Sequence, residues 1–78
     1  MTARAYILIE TSVGKTSQVA ESLAKIDGIL SVDVVTGPYD VIACIEASDI
    51  ASIGNLVTEN MHLNGVQRTV TCISVGRN

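Results

Sequence analysis

Four consecutive residues, Gly37-Pro38-Tyr39-Asp40, set a pliant backbone, a rigid one, an aromatic ring and a carboxylate between two apolar runs. Such a loop can hold a small molecule that carries both a carboxylate and an ammonium group. Backbone N–H groups at Gly37 or Tyr39 would take the carboxylate, and Asp40 would supply the counter-charge for the ammonium. Pro38 has no N–H and instead stiffens the loop, which lowers the ordering cost of binding. Gly, Pro and Asp are also the commonest turn residues, so a plain tight connection explains the same four letters. Tyr39 suits a lid over a ligand and a packing residue equally. Further along, Thr69 and Thr71 stand two apart and share one face of a strand, a placement that packing alone also produces. Arg68, just before them, faces the other way and suits solubility or a subunit contact.

Catalytic chemistry finds little support. His62 stands alone near the end of a helical segment, where a charge at the negative helix terminus is the simplest reading. Ser48-Asp49 reads as a helix cap. Glu10 and Glu46 mark two strand ends reaching solvent rather than an acid–base pair. Cys44 and Cys72 lie within apolar segments, with no Cys-x-x-Cys spacing and no His/Cys cluster to suggest a metal. They read as small buried hydrophobes in a reducing compartment. We therefore expect no catalytic residues, no cofactor and no metal.

Composition bounds the remaining possibilities. Seventy-eight residues make one domain, taken here as residues 1–78, and leave little surplus stability. Yet 47% of the residues are hydrophobic, so either lipid or a partner must hide part of them. The longest apolar runs, Ala5–Ile9 and Val41–Ile45, are five residues each, far short of the roughly 20 a spanning helix needs. No secretory leader is visible, so a soluble cytoplasmic chain is expected. Net charge is −3, and the five basic residues, Arg4, Lys15, Lys25, Arg68 and Arg77, form no stripe. With no Phe or Trp to stack on bases either, direct nucleic-acid binding is not expected.

The elements that would position the loop follow from periodicity. Ala5–Ile9 is a short β-rich run, and Val19, Leu23 and Ile26 then recur at helical spacing until Gly28 stops the segment. From Ile29 to Thr36 the pattern alternates, with Leu30, Val32 and Val34 opposite Ser31 and Asp33. After the Gly37–Asp40 turn, Val41–Ile45 is a buried strand. Ile50, Ile53, Val57 and Met61 then mark the inner stripe of a second helix, and Val66–Val75 is a fourth strand. The halves echo each other: Ile9-Glu10 returns as Ile45-Glu46 after 36 residues, and Gly28 as Gly65 after 37. Two β-α-β units with right-handed crossovers give an α+β, ferredoxin-like β-α-β-β-α-β sandwich: a four-stranded antiparallel sheet, strands one and three central, both helices on one face.

In that fold the helix-free face should be polar if the domain stands alone. Here Tyr6 and Leu8 oppose Ile7 and Ile9, and Ile42 and Cys44 oppose Val41, Ala43 and Ile45. Both faces of the central strands are apolar. An open sheet face of this kind is a sticky patch, and the simplest cover is the same face of a second copy, a two-fold dimer.

At the turn the chain meets a known pattern. Ala5-Tyr6-Ile7-Leu8-Ile9, Val13-Gly14-Lys15, Val32-x-x-Val35-Thr36-Gly37-Pro38-Tyr39-Asp40-Val41-Ile42, Leu56-Val57 and Gly65-Val66-x-Arg68-Thr69-x-Thr71 together resemble the ligand-binding (RAM) domain of the Lrp/AsnC family of amino-acid-responsive regulators, over essentially the whole chain. The resemblance implies a dimeric α+β barrel, pairs assembling into rings up to octamers, and an amino-acid effector held between pairs at Gly37, Tyr39 and Asp40, with the strand carrying Thr69 and Thr71 lining the cleft. Family regulators carry a helix-turn-helix domain ahead of this one. The expectation is a stand-alone module that senses an effector and modulates full-length regulators by mixed assembly. The alternatives are a purely architectural oligomer or a small ferredoxin-like enzyme. The acylphosphatase form of the latter would need an Arg in a phosphate-cradling loop, and Thr11–Lys15 has none.

Overall fold

The computed structural model describes residues 2–76; Arg77 lies outside them. Its element order is β1 (Ala3–Thr11), α1 (Thr16–Ala24), β2 (Ile29–Val34), β3 (Val41–Ala47), α2 (Ile50–Asn60) and β4 (Val66–Ile73). The strands form one antiparallel sheet in the order β2-β3-β1-β4. The two most apolar strands are thus the central pair, where both edges are hydrogen-bonded and both faces can be covered.

Register decides which side chain faces which layer. Ala5, Ile7 and Ile9 of β1 pair with Ile45, Ala43 and Val41 of β3, and all six are fully buried. Val19 and Leu23 of α1, with Ile53 of α2 and Met61 just past its end, close over them. The other phase of β1, Arg4, Tyr6, Leu8 and Glu10, faces away from both helices. Across from it stand Glu46, Cys44 and Ile42 of β3, and Cys72, Val70 and Arg68 of β4.

Helix boundaries follow local chemistry. Asp49 caps α2, its carboxylate accepting from the Ser52 N–H at 2.7 Å. α1 stops at Ala24 because the chain tightens there: Lys25 and Ile26 donate to Ser22 and Leu23, three residues back. Ile26 therefore packs against the core from outside the helix.

Several details depart from the reading of the sequence. Helical spacing puts Ile50 on the buried stripe of α2, but it is the first helical residue and is 61% exposed. Leu30 and Val34 on the edge strand β2 are also exposed, and its register shifts between Ile29 and Ser31, which breaks the alternation at Leu30. Strand β4 ends at Ile73, short of Val75. Cys44 is half-buried and Cys72 exposed, both as free thiols. Their apolar neighbours in sequence predict them inside, but they lie on the face that the helices do not cover.

Candidate functional site

The β2–β3 turn is held by its own carboxylate. Asp40 Oδ2 accepts from the Thr11 N–H at 2.8 Å and from the Thr11 hydroxyl at 3.2 Å. That hydroxyl also lies 2.8 Å from the Thr16 hydroxyl at the first turn of α1. The Asp40 N–H donates to the Ile9 carbonyl, and its carbonyl accepts from Val35, both at 2.9 Å. One residue thus ties together the end of β1, the start of α1 and both arms of the turn. Thr11 occupies the buried phase of β1, at 8% exposure, where an unpaired hydroxyl and N–H would each be costly. The sequence carried a signal for this partnership: Thr11 continues the alternation of Ala5, Ile7 and Ile9, so a polar group there needs a partner.

The rest of the turn is open. Gly37 is exposed with φ +133°, and a methyl group there would meet nothing within 4 Å. Neither the Gly37 nor the Tyr39 N–H is engaged by another described residue. Tyr39 is half-buried, and its ring lies beneath the Arg68 guanidinium, 5.5 Å from carbon to centroid. Arg68 Nη2 also donates to the Tyr39 hydroxyl at 3.3 Å and lies 3.9 Å from Glu10 Oε2. Strand alternation alone gives Arg68 no more than a solubility or contact role; in the fold it packs on the loop aromatic.

Thr69 and Thr71 stand apart from this loop. They pair with Ile9 and Ile7, so they face the helix layer, opposite to Arg68. Thr69 is half-buried and Thr71 exposed. Thr69 borders a groove of about 440 Å³ between the end of α2 and β4, lined also by Thr58, Met61, His62 and Val66. Strand β1 separates the two parts, roughly 10 Å across two strand spacings. Within one chain the five candidate residues therefore fall into two groups, a loop and a strand.

Among the described residues no cluster of three or more His, Cys, Asp or Glu could hold a metal, and no helix is long and apolar enough to cross a membrane.

These features define a class: a ferredoxin-like α+β domain with a latched, solvent-open turn and a second apolar sheet face left bare. A family model described as the Lrp/AsnC ligand binding domain matches residues 4–77. The chain belongs to the Lrp/AsnC family, as a ligand-binding domain of that kind. An uncharacterized HTH-type transcriptional regulator of Pyrococcus abyssi is 36% identical over 74 residues, covering 90% of this chain and 49% of its own length. The chain spans about half the length of the curated relatives it matches. Among solved structures, the protein TTHA0845 from Thermus thermophilus superposes with a TM-score of 0.91 at 28% identity, over 97% of this chain and 96% of that one. The regulator NMB0573 of Neisseria meningitidis, solved with L-Met, shares the fold at TM-score 0.81 and 19% identity, over 95% of this chain and 50% of its own.

Proposed function

We propose that this chain is an effector-binding and self-assembly module in transcriptional regulation of amino-acid metabolism, working in the cytoplasm and without catalysis of its own. One observation carries the reading. The central strands are apolar on both faces, and the helices cover only one. Tyr6, Leu8, Ile42 and Val70 stand on the bare side, where a second copy would cover them. A stable interface takes about 800 Å² from each partner. That is roughly a sixth of the 5047 Å² this chain exposes, an area one sheet face can supply.

The effector follows from the two half-sites. Free N–H groups at Gly37 and Tyr39 suit a carboxylate, and the second oxygen of Asp40 suits an ammonium. An α-amino acid carries both, and the Neisseria regulator was solved with one. Assembly of pairs, up to octamers, would bring the loop of one pair against the Thr69–Thr71 strand of another and complete the cleft. The same sheet face would allow mixed assembly with longer regulators, which would supply the DNA contact.

Native mass measured with and without a pool of common amino acids tests both halves. The expected result is a dimer or larger species whose mass or melting temperature changes with at least one amino acid. A folded monomer at high dilution, indifferent to every amino acid, would sink the reading. One observation favours a purely architectural oligomer instead: Asp40 already has a full structural task inside its own chain.

A further inference from the structure

The two groups of candidate residues have different tasks when they meet around one effector. The turn at Gly37–Asp40 offers N–H groups and a carboxylate, partners for the α-carboxylate and α-ammonium that every amino acid carries. Contacts of that kind hold amino acids in general and discriminate among them little. Discrimination is left to the surroundings of Thr69, where the effector's side chain is received.

Thr69 borders the groove of about 440 Å³ between the end of α2 and β4. That is more room than any common amino-acid side chain fills, so size selects little. Hydrogen bonding and charge must select instead. Met61, buried, and Val66, half-buried, supply its apolar surface. Around them stand Thr58 of α2, Gln67 and Thr69 of β4, and His62 on the turn between these elements. Each of the four can donate a hydrogen bond: two hydroxyls, a side-chain amide and a ring N–H.

Among the described residues that border the groove, none carries a carboxylate. Glu59, the acid of α2, is exposed and does not border it. Arg68 does border it, but its guanidinium is engaged with Tyr39 and Glu10 on the opposite face of the sheet. A lysine or arginine side chain would therefore enter without a counter-charge. An apolar one would leave the donors unpaired once a neighbouring chain shuts out water. A side-chain carbonyl oxygen, in a carboxylate or an amide, answers them, and its methylene stem suits Met61 and Val66. Resting on the effector-binding reading proposed above, we infer that this groove receives the effector's side chain and selects amino acids that end in a carboxylate or an amide. His62 and Thr69 are the specificity-determining donors.

Titration calorimetry on the full chain tests this with single amino acids: Asp, Glu, Asn and Gln against Lys and Arg, and against Leu and Met. At least one of the first four should bind on the order of tenfold tighter than the others, the worth of one or two hydrogen bonds. Comparing Glu with Gln, and Asp with Asn, separates carboxylate from amide. His62→Leu, at an exposed position, should remove most of the preference. Thr69→Val should do the same, whereas Thr69→Ser, which keeps the hydroxyl, should retain it. His62→Glu supplies the missing carboxylate and should raise the affinity for Lys or Arg. Tightest binding of Lys, Arg, Leu or Met by the wild type would overturn the inference and leave the proposed function standing. So would a preference for the first four that His62→Leu and Thr69→Val both leave intact. Binding of no amino acid at all would remove the inference together with the sensing role on which it rests.

Discussion

Asp40 is the residue on which the structural role and the proposed ligand-binding role converge, and they can be separated. Replacing it by Ala strands the Thr11 N–H and leaves the Thr11 hydroxyl with Thr16 alone, a loss on the order of 1–3 kcal/mol. Asp40→Asn keeps an acceptor oxygen for Thr11 and removes only the charge. Urea denaturation should therefore show a clear loss for Asp40→Ala and a small one for Asp40→Asn. If the charge also answers an effector's ammonium, Asp40→Asn loses the ligand-induced melting shift while keeping its fold. Asp49 offers a pH test of a different kind. The Ser52 N–H holds its carboxyl below the ordinary 3.8, so folding favours the ionised form. Its contribution is complete above that ordinary value and is lost as pH falls through the lower folded-state one. An Asp49→Asn variant should thus differ from wild type in melting temperature at neutral pH, and the difference should narrow in acid below about pH 4.

Strand β1 shows how one element serves two tasks through the period of two. Ile7 and Leu8 are neighbours in sequence and face opposite layers. Ile7→Ala opens a cavity under the helices, which should cost about 2–5 kcal/mol of fold stability. Leu8→Lys touches no helix and should instead reduce native mass toward the monomer while circular dichroism of that species stays folded. Loss of secondary structure in Leu8→Lys would mean that the bare face is needed for folding itself. Alternation made these two faces legible in the sequence, as it did the order of elements and the central place of β1 and β3. The shift in β2 near Leu30 was not legible, because one extra residue in a strand leaves no mark in composition. Nor was the exposure of Ile50, since helical spacing assigns a face but not how well each turn of it is covered.

For the whole molecule, assembly and stability should be one quantity. If the patch around Tyr6 and Leu8 is covered in solution, folding is coupled to association, and the melting temperature should rise with protein concentration. A melting temperature constant over a hundredfold dilution would point to a self-sufficient single chain. At this scale the family is shown by a match over residues 4–77, and the curated relatives it matches, named as HTH-type transcriptional regulators, are about twice this length.

The sequence alone determined the β-α-β-β-α-β order, the two-faced central strands and the turn at Gly37–Asp40. Each of these is written in local spacing and residue type, the part of folding that neighbours along the chain control. Only the tertiary structure decided that Asp40 bonds Thr11, that Arg68 covers Tyr39, and that Thr69 and Thr71 face the helices across β1 from the loop. Those pairings join residues 29 or more positions apart, and strand register, which sets them, depends on how the whole sheet buries its apolar face.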